Sequence, residues 1–343
     1  MSFKQLGIDG QSCFVIAEVA QAHDGSLGTA HAYIDAAAEA RADAIKFQTH
    51  IADAESTLDE PWRVRFSRQD VSRYDYWKRM EFSPEEWSGL AEHCKERGIE
   101  FMSSPFSVES VDLLSSLGMR LWKIASGEIY NPPLIEAVLA TGAPAVFSTG
   151  MSRLEELDPI VEQARQHGNE FALLQCATAY PCPPELWGFG VMEEIRNRYH
   201  CLAGFSDHSG DIFAGLAAAA LGASILEVHI TFSHSAFGPD VPASVTPDDL
   251  ARLVTGIRQI CAAREANPDK SAIAEQTGGL KDIFGRSLAL AKDLEAGTRI
   301  EAHHLALKKP AGGIPWSSRG DVIGRTLIRD KSAKRLLTLE DFA

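Results

Sequence analysis

CFVIAEVAQAHDGSLGTAHAYIDAAAEARADAIKFQ, residues 13–48, reads as one complete strand–helix–strand unit. Cys13–Glu18 is a short apolar run that ends in a carboxylate. Leu27–Arg41 is alanine-rich and follows a turn, HDGS. Ala44–Gln48 is a second apolar run, and it places Lys46 and Gln48 two residues apart, hence on one face. Strands that alternate with helices in this way build a parallel sheet.

The unit recurs. Further strand-length runs are Glu100–Ser104, Leu121–Ala125, Ala145–Ser148, Phe171–Gln175, Leu202–Ser206 and Ile225–His229. Helical patterns lie between them: Pro84–Arg97 behind Ser83 as N-cap, Pro132–Thr141, Leu154–His167, Gly190–Tyr199, Ile212–Leu221 and Pro247–Arg264. Eight strand runs in this alternation predict a (β/α)8 TIM barrel over residues 1–268. An open, doubly wound sheet is the alternative, and the absence of a Gly-rich dinucleotide-binding turn after the first strand weighs against its Rossmann form. One segment breaks the alternation. Ala52–Arg79 is charged and aromatic, and on a barrel it forms a long loop at the C-terminal face. It reads either as a lid or as a surface excursion with its own apolar cluster. After Arg264 the texture changes. Residues 269–282 read as a linker, and 283–343 as a small, mostly β domain of short segments such as RSLALAKDL and VIGRTLIRD.

The chain has 343 residues, of which 45% are hydrophobic and 23% charged, the balance of an ordinary globular protein. With 33 basic and 47 acidic residues the formal charge is −14, which argues against broad nucleic-acid contact but not against a small phosphorylated ligand. No run approaches the ~20 apolar residues of a membrane span, and the N-terminus lacks a signal-peptide pattern. None of the six cysteines is in a CxxC pair, so they read as reduced thiols in a cytoplasmic protein.

Polar residues gather at the strand ends. Glu18 ends the first, and Lys46 and Gln48 the second. Ser103 and Ser104 end the third, Lys123, Ser126 and Glu128 follow the fourth, and Ser148 the fifth. Gln175, Thr178 and Tyr180 follow the sixth, Ser206, Asp207 and His208 the seventh, and His229 ends the eighth. In a barrel these ends meet at one mouth. Lys46 and Lys123 sit inside apolar runs, and a buried lysine needs an anionic partner. With the nearby hydroxyls they describe a site for phosphate and carboxylate. His208 and His229 are candidate metal ligands, and imidazoles with oxygen donors suit Mn, Fe, Co or Zn.

These pieces carry a resemblance. IAE at 16–18, AHDGS at 22–26, KFQT at 46–49, SSPFS at 103–107, KIASGE at 123–128, STGM at 148–151, AYP at 179–181, FSDHS at 205–209, LEVH at 226–229 and GPD at 238–240 stand in order. Together with RSLALAKDLEAGTRI and LALKKPAGGI they resemble the sialic acid synthase family, with its C-terminal antifreeze-like (SAF) domain. The resemblance implies condensation of phosphoenolpyruvate with an N-acylated amino sugar. It also implies a divalent cation, Mn2+ with Mg2+ or Co2+ as alternatives, on His208 and His229. Phosphoenolpyruvate would lie on Lys46, Lys123, Ser126, Ser148 and Ser206. The sugar would meet Gln48, Thr178, Tyr180, Asp240 and Lys309, with Glu18 as the catalytic carboxylate and Glu128 behind it. A domain-swapped homodimer is implied, in which one SAF domain caps the other copy's barrel. The chain departs from the family's pattern at Ala22, at Thr178 and at Lys309-Pro310-Ala311, where Arg-Pro-Gly is usual. These departures touch the sugar. N-acetylmannosamine is the default acceptor, with bacillosamine-type, legionaminic or pseudaminic precursors as alternatives. Two other functions compete: a barrel synthase of 3-deoxy-2-keto sugar acid phosphates, and a carbohydrate-binding protein without catalysis.

Overall fold

The eight apolar runs all become strands. In the computed structural model, which describes residues 1–266 and 268–343, they are β1 (Phe14–Ala20), β2 (Ala44–Thr49), β3 (Glu100–Pro105), β4 (Trp122–Ile124), β5 (Ala145–Ser148), β6 (Phe171–Cys176), β7 (Leu202–Asp207) and β8 (Ile225–Ile230). Every pairing among them is parallel, in the order β3-β2-β1-β8-β7-β6-β5-β4. At the remaining seam β3 lies beside β4, so the sheet curls into a near-closed TIM-type barrel. The helices are α1 (Leu27–Glu39), α2 (Ala52–Glu55), α3 (Arg73–Met80), α4 (Pro84–Arg97), α5 (Val108–Ser116), α6 (Pro132–Ala140), α7 (Leu154–His167), α8 (Phe189–Tyr199), α9 (Phe213–Ala220) and α10 (Pro247–Glu265). A short β9, Ser244–Val245, pairs with β8.

Local chemistry sets the boundaries. In α4 the Ser83 side chain accepts from the Glu86 amide, Pro84 opens the first turn, and Gly98 ends the helix at φ +68°. α5 has no counterpart among the expected helices. Two valines and three serines blur its period, and it forms because Ser107 caps it and Val111 and Leu114 are buried.

Strand alternation then divides the core in two. Outward residues such as Val15, Ile45, Phe47 and Val228 pack under the helices. Inward residues Ile16, Ala44, Met102, Leu121, Val146, Leu174 and Ile225 fill the barrel floor, which Phe3 and Ile8 close from below. Two residues further along those same strands stand Glu18, Lys46, Ser104, Lys123, Ser148, Cys176 and Glu227. The interior therefore passes from hydrocarbon to charge within one inward step. On β7 the floor residue is Gly204, where an added Cβ would lie 2.3 Å from the Ile225 carbonyl oxygen and 2.5 Å from Leu174 Cδ2. Gly204→Ala should destabilise the barrel by about 1–3 kcal/mol through overpacking. Urea unfolding should show a lower midpoint at unchanged slope. A wild-type midpoint would refute the expectation.

The segment after β2 is a packed excursion. α2 and α3 bury Ala52, Tyr76, Trp77 and Met80, with Trp62, Phe66 and Tyr74 against them.

By internal packing the chain divides into two compact units, Met1–Ala266 and Asn267–Ala343. Residues 269–282, expected as a linker, hold most of two short helices, α11 (Lys270–Gln276) and α12 (Gly278–Phe284). Their Gly, Thr and Gln content reads as loop, but Asp269 caps α11 by accepting from the Ser271 amide. Beyond them β10 (Ser287–Leu290) runs antiparallel to β11 (Leu305–Lys308). Leu288, Leu290, Ile300, Val322, Leu327 and Leu337 form that unit's own core. All six cysteines are free. Among the described residues no helix is long and apolar enough to cross a membrane.

Candidate active site at the barrel mouth

The first unit opens at the C-terminal ends of its strands into a cavity of about 640 Å3. Of the expected site residues, all but Lys309 line it. Lys309 belongs to the second unit, where its ammonium lies 4.9 Å from the centre of the Phe284 ring.

The floor of the cavity is a buried cluster of two cations and two anions. Lys46 Nζ lies 2.7 Å from Glu18 Oε2, 3.7 Å from Glu227 Oε2, and donates to Ser104 Oγ at 3.1 Å. Lys123 Nζ lies 3.6 Å from Glu227 Oε1 and donates to the Ile124 carbonyl. Ser206 donates to Glu227 Oε1 at 3.0 Å, and Gln48 Nε2 to Glu18 Oε1 at 2.8 Å. Sequence reasoning had not singled out Glu227. Its signal is its place two residues before His229, on the same inward face of β8.

The two carboxylates titrate apart. Burial lifts the Glu18 carboxyl to about 7, because Lys46 only partly offsets it and Glu227 repels it. Burial acts on Glu227 as well, but Lys123 and Lys46 together outweigh it and hold that carboxyl at about 2. Lys123 is itself pulled below the usual lysine range by burial. Lys46 is raised, since Glu18 and Glu227 outweigh its desolvation.

Two histidines form one edge. The His208 and His229 ring centres are 5.1 Å apart, and Tyr180 packs against both at 4.1 and 6.0 Å. Burial lowers each imidazole to about 3, so both are neutral at pH 7. His208 Nδ1 faces the Ala177 carbonyl at 3.0 Å and must donate to it, which leaves Nε2 as a lone pair. Below it the Asp207 carboxylate accepts from the Ser209 amide at 2.8 Å and holds the turn that presents His208. Among the described residues no third His, Cys, Asp or Glu joins the pair in a metal-holding group. The donor set suits a divalent ion that takes its remaining ligands from water or substrate oxygens. The Ser148 hydroxyl and Glu227 Oε2 are buried without a hydrogen-bond partner. Ser126 Oγ accepts from the Gly150 amide at 3.1 Å.

The opposite wall holds Glu128, whose carboxyl is raised by burial and accepts from Asn131 Nδ2 at 2.8 Å. Thr178 is exposed and donates to the Gly150 carbonyl. At the mouth Arg63 reaches out of the excursion after β2. It pairs with Asp240 at 2.9 Å and lies 4.5 Å over the Tyr180 ring. Arg63, Gln21, His50 and Glu55 were absent from the sequence expectation and all line the cavity. The excursion thus has its own apolar cluster and also contributes to the site.

The comparisons with known proteins agree with this architecture. Residues 33–268 match the NeuB family, and residues 285–343 match the SAF domain. The N,N'-diacetyllegionaminic acid synthase of Campylobacter jejuni is 32% identical over 329 residues, covering 94% of this chain and 98% of its own. The spore coat polysaccharide biosynthesis protein SpsE of Bacillus subtilis is 37% identical over 250 residues, covering 72% of this chain and 67% of its own. Among solved structures, the N-acetylneuraminic acid synthetase of Leptospira borgpetersenii superposes with a TM-score of 0.69 at 30% identity, covering 79% of this chain and 93% of its own. The chain therefore belongs to the NeuB family and is an enzyme of that family, with a SAF domain at its C-terminal end.

Proposed function

We propose that this enzyme condenses phosphoenolpyruvate with the open-chain form of an N-acylated amino sugar, giving a nonulosonate and phosphate. The observation that carries the reading is the floor cluster: two buried lysines beside orphaned polar atoms and a pair of neutral imidazoles. Lys46 and Lys123 would neutralise the phosphate and carboxylate of phosphoenolpyruvate, with Ser126, Ser148 and Ser206 as hydroxyl partners. The C3 carbon adds to the sugar aldehyde, water adds at C2, and phosphate leaves by C–O cleavage. Glu18, beside Lys46, is the carboxylate placed to orient the sugar and to stabilise positive charge at C2. Held by His208 and His229, a divalent ion, Mn2+ foremost, would polarise the aldehyde oxygen.

Charge pairing bears on the acceptor. Among the described residues the cations lining the cavity are all paired: Lys46 and Lys123 as above, Arg63 with Asp240, and Arg73 with Glu60. Lys46 and Lys123 are given to phosphoenolpyruvate in this reading, so a second phosphate would have to displace Asp240 from Arg63 or Glu60 from Arg73, which favours an uncharged acceptor. The name of the Campylobacter relative adds diacetamido sugars to N-acetylmannosamine as candidates. The reading extends to a cytoplasmic homodimer in which the SAF domain of one copy, with Lys309, serves the cavity of the other.

Phosphate release from phosphoenolpyruvate with Mn2+, measured against N-acetylmannosamine, a diacetamido-trideoxy sugar, N-acetylmannosamine 6-phosphate and arabinose 5-phosphate, tests this. Release with an unphosphorylated amino sugar is expected. Release with arabinose 5-phosphate alone, or with no acceptor at all, would overturn it.

A further inference from the structure

We infer that His50 and Glu55 are positioning residues for Glu18, acting through Gln21 and Gln48. The inference deepens the proposed condensation and rests on Glu18 as its carboxylate.

His50 follows β2 and is buried. Its ring is held between two others, Trp77 at 4.1 Å and 18°, and Phe106 at 4.5 Å and 19°. Trp77 is pinned in turn, because its Nε1 donates to Glu60 at 2.9 Å and Glu60 pairs with Arg73 at 3.1 Å. A ring clamped on both faces aims its two nitrogens in fixed directions. Nδ1 faces Glu55 Oε1 at 2.7 Å, and Nε2 faces Gln21 Nε2 at 3.1 Å.

The direction of every bond then follows. A carboxylate only accepts, so His50 Nδ1 carries the proton and donates to Glu55. Nε2 is left with a lone pair and accepts from the Gln21 amide. The second hydrogen of that amide goes to Gln48 Oε1. This turns the Gln48 amide nitrogen towards Glu18 Oε1, at 2.8 Å. The chain of bonds has a carboxylate at each end; His50 Nε2 also stands 3.3 Å from Gln48 Oε1, and these two acceptors share the Gln21 amide, which donates to both. Reversing either glutamine would set donor against donor or acceptor against acceptor. Glu18 is thereby held for Lys46 by a buried network whose far end, Glu55 and Trp77, comes from the excursion after β2. An imidazole needed only for packing would not require its two polar atoms to be matched towards the cavity.

The test separates the two nitrogens in the full-length enzyme, with steady-state phosphate release as the readout. His50→Gln can place an oxygen where Nε2 stands and keep an acceptor for Gln21. His50→Asn keeps a donor for Glu55 and offers Gln21 nothing. His50→Asn should lower kcat about 10- to 100-fold, as when an outer partner of a reacting group is removed, with KM for phosphoenolpyruvate unchanged within about 3-fold. His50→Gln should stay within about 3-fold of wild type. Gln21→Leu breaks the chain without touching the aromatic clamp, should match His50→Asn, and carries the test if the His50 variants melt early. Equal losses in His50→Gln and His50→Asn would overturn the inference, as would a wild-type kcat in Gln21→Leu. A crystal structure of Gln21→Leu gives an answer independent of turnover. Gln48 should leave Glu18, and an unchanged Gln48–Glu18 bond would sink the inference even where the proposed reaction itself had failed.

Discussion

Lys46→Met should release no phosphate above background and should be about 3–5 kcal/mol less stable than the wild type at pH 8, the cost of breaking a buried ion pair from one side. Lys46 touches Glu18 at 2.7 Å and Glu227 at 3.7 Å, and all three side chains are at most 5% exposed. Without the ammonium two buried carboxylates face each other, with only Lys123 near Glu227. Glu18, already lifted to about 7, would rise further. A folded-state pKa raised above the unfolded glutamate value of about 4.3 means that the native state holds more protons between the two. Stability contributed by that proton is present at low pH and is lost as pH rises through the window. Both proteins lose it alike up to about pH 7, where the wild-type carboxyl gives up its proton; Lys46→Met goes on losing it above that, so its deficit should be smaller at pH 5.5 and larger at pH 8. Urea unfolding at the two values reads this directly, and equal deficits would refute it. Adding Glu18→Gln to Lys46→Met should recover stability without recovering activity.

On the proposed reading, removal of divalent metal should lower phosphate release on the order of 100-fold or more, since a Lewis acid at the aldehyde would supply several kcal/mol. His208→Ala should do the same and should not respond to added Mn2+ at concentrations that restore the dialysed wild type. The physical reason lies in the edge of the cavity. His208 and His229 are neutral by burial, and His208 has its tautomer set by the Ala177 carbonyl. Neither histidine is among the groups that pair Lys46 or Lys123. Phosphoenolpyruvate should still bind His208→Ala, with a Kd within about 3-fold of wild type, because its anionic groups meet the lysines instead. Calorimetric titration with phosphoenolpyruvate separates the two. Full activity in the chelated enzyme would remove the metal from the proposal, and loss of phosphoenolpyruvate binding in His208→Ala would place the histidines in the anion site.

The barrel was legible because its signal is local. Each of the eight strands is built on an apolar run with polar residues near its C-terminal end, and runs such as Ala145–Ser148 keep their bounds in the structure. α5 was not legible, because serines and valines hide its period and burial of Val111 and Leu114 completes it. The helices at 270–284 were hidden by a composition that reads as loop. Glu227 could have been found from its parity with His229. Arg63 could not, because nothing near it in the chain points to Asp240 or Tyr180.

What the sequence determined by itself is therefore the alternation, the parity of side chains along each strand, and the mouth towards which those polar ends converge. These rest on periods of two and of 3.6 residues, which any short window displays. Only the tertiary structure decided how the charges are partnered. Lys46 is shared between Glu18 of β1 and Glu227 of β8, strands more than two hundred positions apart that the closing barrel sets side by side. Their titration follows from that meeting and from burial, since a carboxylate in a low-dielectric interior answers to its nearest charges and not to its neighbours in the chain. The clamp on His50 has the same origin, for Trp77 and Phe106 reach it from opposite sides only once the excursion has folded onto the barrel.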